Sequence, residues 1–414
     1  MIIDLSNVES VIKKIVDETP IIDVHTHLYS PCFIKHRLFG IDAQLTYHYL
    51  IAETMRYDNV NPDTFYSMSL KEQADLVWNE LFVKRTPVSE AAKGVLITLK
   101  AQGLDISSRS LDSYRSYYDK ADYEELVDLI FQKANVKYCI MTNDPLDDDE
   151  RAVWENSYIK DERFRGALRI DNILVNYTDN VEKLKSLGYD VNENLDSKSE
   201  LELRRYIKEW ADRFDAEYVA ASLPPTFKID GGTCSKIIEN CVLPVCRELD
   251  LPFAMMIGVI RQINSALKLG GDAVGRADLS QVTYLCNKYP KNKFMLTVLS
   301  RENQHEANVI SRKFRNLLPF GCWWFCNNPV IIEDITRMRI EMLGTGVVLQ
   351  HSDCRVQDQL LNKWITSKAI ISKIITEKYV QLIEAEWVPE EDEIRRDVAL
   401  WLGGYYEEFK RSKL

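Results

Sequence analysis

The chain has 414 residues, of which 46% are hydrophobic and 28% charged, and it carries a formal net charge of −11. This is the composition of an ordinary globular protein, long for one compact domain but within reach of a barrel with insertions. The acidic balance argues against general nucleic-acid binding and requires any anionic ligand to be met by locally placed arginines.

In chain order, residues 1–19 read as a short amphipathic helix before the first strand. Ile21 to Val24 is a short apolar run, and His25-Thr26-His27 follows directly. From Tyr29 to about Lys120 the pattern is helical and aromatic-rich, with no clear strand, so residues 29–120 are expected to form a helical insertion. Short apolar strands then alternate with amphipathic helices. The predicted strands are Val136–Met141, Phe164–Arg169, Glu217–Leu223, Phe253–Ile257, Phe294–Val298, Phe320–Trp324 and Gly346–Gln350, which with Ile21–Val24 makes eight. Helical patterns are expected at Cys234–Leu249, Leu279–Tyr289, Gln304–Asn316 and Val330–Leu343, with Val356–Ala385 and Glu390–Arg411 closing the chain. Eight strands alternating with helices imply an α/β fold with a parallel sheet, most economically a (β/α)8 TIM-type barrel spanning 1–414 as a single domain. A doubly wound open sheet is the alternative, although no Gly-x-Gly-x-x-Gly follows an early strand.

No run approaches the ~18 apolar residues of a membrane span. Met1–Leu5 lacks the basic start and apolar core of a signal peptide. The nine cysteines show no Cys-x-x-Cys spacing, so neither a disulfide framework nor a zinc ribbon is favoured and a reducing cytoplasm is expected. No membrane partner and no nucleic-acid partner is expected.

In a strand, side chains at i and i+2 point the same way, so His25 and His27 can bring two imidazoles to one point. That is a natural start to a divalent-metal site, although His-x-His pairs also arise by chance. In a barrel the chemistry sits at the C-terminal ends of the strands. The last strand ends in Gln350-His351-Ser352-Asp353-Cys354-Arg355, where Asp353 could complete the metal site or simply cap the next helix.

His25-x-His27 with a late Asp353 resembles the amidohydrolase superfamily, and within it the chain is similar to the uronate isomerase family almost end to end. The residues that carry this are Asp23–Leu28, Ala167-Leu168-Arg169-Ile170-Asp171, Met256-Ile257-Gly258 with Arg261, Phe320–Phe325 and Ser352-Asp353-Cys354-Arg355. Leu45–Leu50, with Tyr47-His48-Tyr49, resembles the shorter bacterial branch. The resemblance implies an aldose–ketose isomerase of hexuronate catabolism, interconverting D-glucuronate with D-fructuronate and D-galacturonate with D-tagaturonate by moving a proton between C2 and C1. It implies that His25, His27 and Asp353 hold one divalent metal, most plausibly Zn2+, and that Asp353 is also the base. Arg355 and Arg169 would be the cations for a small-molecule uronic acid. His48 and Tyr49 would reach in from the insertion to bind hydroxyls and pass a proton.

Each assignment has a plainer counterpart. Arg169 could pair with Asp171 or Glu162, and tyrosine in an aromatic helix packs by default. One of Trp323 and Trp324 is expected to line the pocket and the other to pack. Many relatives have a histidine where this chain has Met256, whose thioether can neither donate a hydrogen bond nor act as a base. The alternative function is a mononuclear metal-dependent amidohydrolase acting on a sugar-acid lactone, amide or ester. A third is a barrel that has lost catalysis and only binds. Exposed helical faces are compatible with a homo-oligomer, but no interface can be read from the sequence.

Overall fold

A computed structural model describes residues 3–414; Met1 and Ile2 of the predicted first helix lie outside the described residues. The N-terminal helix runs Val8–Glu18 and buries Val8, Val11, Ile12, Ile15 and Val16, the spacing of one helix face. Among the described residues nine strands follow in chain order: β1 Ile21–Thr26, β2 Val136–Asn143, β3 Phe164–Arg169, β4 Val219–Leu223, β5 Phe253–Ile257, β6 Val259–Ile260, β7 Ala273–Val274, β8 Phe294–Val298 and β9 Leu317–Pro319. Seven of them form one curled parallel sheet in the order β1-β2-β3-β4-β5-β8-β9, while β6 and β7 pair antiparallel as a separate hairpin. Every residue of β1, β4, β5, β8 and β9 is buried, as expected when helices cover one face of a parallel sheet and the other face curls inward.

Two predicted strands are corrected. Phe320–Trp324 is not a strand; the ladder lies three residues earlier, at Leu317–Pro319, because Gly321 (φ 59°) and Trp324 (φ 43°) turn the chain out of the extended region. Gly346–Gln350 contributes a single bridge, Phe320 to Val348. Its other polar groups have different partners: the Gly346 N–H donates to the Leu343 carbonyl, the Leu349 N–H to the Trp401 carbonyl, and the Gln350 side chain accepts from the Cys322 N–H. The fourth strand is shorter than expected, starting at Val219 rather than Glu217.

Between β1 and β2 the described residues contain helices and no strand, from Gly40–Leu45 and His48–Thr54 through Glu90–Ala101 to Tyr123–Ala134. The expected helix Cys234–Leu249 is interrupted by a π-turn at Ile238–Val242, just before Pro244, whose missing N–H cannot sustain the regular ladder. Glu390–Arg411 is likewise broken, at Leu400–Gly404. There Gly403 (φ 116°) lets the chain pass β1 so closely that a Cβ would lie 2.4 Å from the Ile22 carbonyl oxygen. The longest helix, Gln359–Glu384, packs against the N-terminal helix, Glu90–Ala101 and Pro329–Leu343. Among the described residues no helix is long and apolar enough to cross a membrane.

Candidate active site

The sheet converges on the end of β1. The β1–β2 register slips between Asp23 and Thr26, and the chain leaves the ladder as His25 and His27 present their rings 5.2 Å apart. The last parallel segment returns alongside: the Asp353 N–H donates to the His25 carbonyl and the His27 N–H to the Cys354 carbonyl. Asp23, buried in β1, fixes this return. Its carboxylate accepts from the Ser352 N–H (3.0 Å) and from the Trp364 indole (2.9 Å), and burial raises its pKa. Asp353 itself has φ 52°, a left-handed conformation uncommon for a residue with a side chain. Its Oδ2 accepts from the Trp324 N–H at 3.2 Å, and Trp324 has positive φ as well. Two strained residues therefore meet at one carboxylate.

Asp353 Oδ1 lies 3.5 Å from His25 Nε2 and 3.4 Å from His27 Nε2. The opposite nitrogens decide the tautomers. Tyr218 donates its hydroxyl hydrogen to the Val24 carbonyl, so its oxygen, 3.3 Å from His25 Nδ1, accepts from that nitrogen. Thr142 donates to the Thr26 carbonyl in the same way, leaving its oxygen to accept from His27 Nδ1 at 3.2 Å. Both Nε2 atoms then carry bare lone pairs facing an anionic oxygen, an arrangement that wants a cation between them. Neutral His27 agrees: burial, followed by the nearby Arg355 charge, pushes its pKa down to about 3. Burial opposes ionisation of Asp353, and contact with His25 and His27 lowers its pKa only with a proton or a cation on their Nε2 side, the place a metal ion would fill. The three ligand atoms lie within 4.8 Å of one another. The spacings of 3.4 and 3.5 Å match the roughly 3.3 Å edge of a tetrahedron with metal–ligand bonds of about 2.0 Å. The residues present fit a divalent metal.

A cavity of about 340 Å³ opens beside this cluster, lined by His27, Tyr47, His48, Arg169, Arg261 and Arg355 together with Ser222, Trp323, Trp324 and Asp353. Five predicted site residues, His27, His48, Arg169, Asp353 and Arg355, line the cavity directly, with His25 beside His27 and Asp353, and Tyr49 does not line it. Tyr49 lines the neighbouring cavity with Tyr47 and Glu90, its ring 4.6 Å from the His48 ring and 6.1 Å from Phe325. Burial raises its pKa strongly, so its phenol stays protonated. Both Trp323 and Trp324 line the cavity, in place of the expected division of roles.

His48 is buried, with no hydrogen-bond partner for Nε2 among the described residues, and burial followed by the Arg355 charge takes its pKa down to about 3. Arg169 pairs with Asp171, which also accepts from the Ser222 N–H, so the pairing expected as the plainer alternative and the place in the cavity are both real. Arg261, on the β6–β7 hairpin, pairs with Asp272 at 2.7 Å, whereas the Arg355 guanidinium has no carboxylate within ion-pair range among the described residues. Tyr47, Ser222 and Arg261 were not singled out as site residues from the sequence. Arg261 was visible only as part of the Met256–Arg261 stretch, because two-residue strands leave no periodicity to read. Of the other histidines, His351 is buried against His25 at 5.2 Å and burial holds it neutral, His36 stacks on Tyr29 at 4.6 Å, and His305 is exposed.

Comparison with family models and with curated proteins gives no match. Among solved structures the chain is similar to a uronate isomerase from Bacillus halodurans, at 47% sequence identity and a TM-score of 0.97, covering 100% of this chain and 98% of that one. It is also similar to a uronate isomerase from Thermotoga maritima (16% identity, TM-score 0.79, 97% of each chain) and to a glucuronate isomerase from Caulobacter crescentus (13% identity, TM-score 0.78, 99% of this chain and 95% of that one). The last two likenesses concern the fold alone.

Proposed function

The chain belongs to the uronate isomerase family, and on that premise we propose that its cavity interconverts D-glucuronate with D-fructuronate and D-galacturonate with D-tagaturonate. The observation that carries this reading is one small cavity shared by an ionised carboxylate, two neutral histidines and arginines suited to a carboxylate substrate. A hydrolase acting on a lactone, amide or ester has no need of that cationic wall, and the relatives do not favour it.

In this reading Arg355, with no protein carboxylate to satisfy, takes the C6 carboxylate, and Arg169, oriented by Asp171, supports it. Asp353 moves the proton between C2 and C1. The Trp324 N–H fixes the direction of Oδ2. Neutral His48 offers its unpartnered Nε2 to a substrate hydroxyl, and protonated Tyr49, packed edge-on behind it, is the proton donor of this reading. His25 Nε2, His27 Nε2 and Asp353 Oδ1 would hold one divalent metal, with zinc the best match to two imidazoles and a carboxylate; bound there it would polarise a carbonyl oxygen. Trp323 and Trp324 narrow the cavity and exclude water.

The finer architecture that accompanies this function is a closed (β/α)8 barrel over 1–414, with 29–120 as a helical insertion. It is supported by the two backbone hydrogen bonds joining the Asp353 segment to β1 and by the run of helices that carries His48 and Tyr49 to the cavity. Nine free cysteines support a reducing, cytoplasmic setting.

The test is a coupled reductase assay with both uronates, using metal-replete and chelator-treated enzyme. Formation of keto product from either sugar is expected. Absence of turnover on both, with hydrolysis of a sugar-acid lactone, would replace this reading with the hydrolase.

A further inference from the structure

The cavity described above is not the only one that Arg355 faces. A second, of about 940 Å³, shares Tyr47, His48 and Arg355 with it and is otherwise lined by different residues. Its walls are chiefly apolar, built from Leu38, Ile51, Tyr66, Leu70, Leu269 and Val356, and no acidic residue is among the described residues lining it. The cations facing it are Arg355 and Lys268. Neither has a carboxylate within ion-pair range among the described residues; Lys268 instead places Nζ 4.0 Å over the Tyr66 ring. Tyr66 also donates its hydroxyl to the Leu267 carbonyl at 2.8 Å, which ties the β6–β7 hairpin to the helix Pro62–Ser67 and holds this wall in place.

In a chain of net charge −11, a pocket with two unneutralised cations and no acidic lining selects for an anion. Its apolar walls select against a sugar, whose hydroxyls would lose water there without gaining partners. We propose that this pocket is a second ligand site, for a monocarboxylate with an apolar body: the carboxylate sits on the Arg355 fork and the body lies along the wall formed by Leu38, Ile51, Leu70 and Leu269. Because one arginine serves both cavities, such an acid and a uronate exclude each other. Only this exclusion rests on the uronate reading; binding itself rests on the pocket.

The probe is 4-phenylbutyrate, titrated calorimetrically into the full chain, with 4-phenyl-1-butanol as the neutral control. The acid is expected to bind one per chain and the alcohol at least about tenfold more weakly, since it cannot engage the guanidinium. Leu269 and Leu70 are 46% and 53% exposed, so Leu269→Asp and Leu70→Asp are expected to fold. Each should weaken the acid at least about tenfold by placing a like charge beside it, while leaving uronate KM within about twofold. Equal binding of acid and alcohol, binding untouched by both substitutions, or no binding at about 10 mM overturns the proposal, as does acid binding that leaves uronate turnover uninhibited. Acid binding with the expected variant pattern, in a protein that turns over no uronate, supports the pocket and counts against the uronate reading instead.

Discussion

Replacing Arg355 by methionine separates substrate binding from folding. In the protein alone the guanidinium has no carboxylate partner among the described residues, and the backbone N–H of Arg355 donates to the Gln359 side chain, a bond that methionine keeps. The substitution therefore orphans no buried anion, and the melting temperature should stay within about 2 °C. Substrate binding is a different matter. A forked contact to a carboxylate, counted conservatively as one charge-assisted pair, is worth about 3 kcal/mol, or roughly a hundredfold in KM at 1.4 kcal/mol per decade. Steady-state kinetics on D-glucuronate with a thermal melt of the same preparation reads both quantities. Arg169→Met provides the contrast: it strips Asp171 of its partner, a partly buried pair with side chains 24% and 17% exposed, and should lower the melting temperature as well as weaken binding. An unchanged KM in Arg355→Met, or a loss of stability equal to that of Arg169→Met, would refute this reasoning.

Asp353→Asn should abolish turnover and reduce zinc retained after dialysis to well under one per chain, because an amide is neither a base nor a good ligand; near-full activity would remove Asp353 from both roles. Gly403→Ala should cost about 1–3 kcal/mol in urea unfolding, since its Cβ would press on the Ile22 carbonyl oxygen at 2.4 Å and its φ of 116° suits glycine alone. The pH dependence of the metal-free protein has contributions of two signs from its buried groups, with His351 acting in the sense of His27 and His48, and Asp23 and Asp358 in the sense of Asp144 and Glu150. His27 and His48, with pKa values lowered to about 3, withdraw stability as pH falls from 6.5 towards 3, because the unfolded chain then binds the extra protons; Asp144 and Glu150, raised to about 6 and 7, add stability as pH falls through those values towards their ordinary ones. Relative to the unsubstituted protein, His48→Gln should gain stability as pH falls from 6 to 4.5, read as the difference in urea midpoint, and an unchanged profile would contradict the buried neutral state of His48.

Much of the site was legible because two simple rules apply to it. An apolar run ending in histidines at i and i+2 places both rings on one side, and a parallel sheet in an α/β fold puts chemistry where its strands end. Asp353 was legible as a candidate, but its geometry was not. The left-handed turns at Trp324 and Asp353, held by the Trp324 N–H and by Asp23 through Ser352, are long-range consequences that no local propensity encodes. The same turns explain why the predicted strands Phe320–Trp324 and Gly346–Gln350 were displaced or reduced to a bridge. Tyr47 and Tyr49 flank the start of the helix His48–Thr54, and residue type alone could not say that Tyr47 reaches the cavity while Tyr49 packs behind His48. The β6–β7 hairpin, which delivers Arg261, is too short to leave a pattern.

The most direct test of the central claim follows D-[1-13C]glucuronate by NMR in the presence of the purified, metal-replete protein. The account predicts that the labelled carbon changes from hemiacetal to hydroxymethyl, the C1 of the ketose, and that Asp353→Asn leaves it unchanged. A label that stays hemiacetal with both D-glucuronate and D-galacturonate, in a folded and metal-loaded protein, would contradict it.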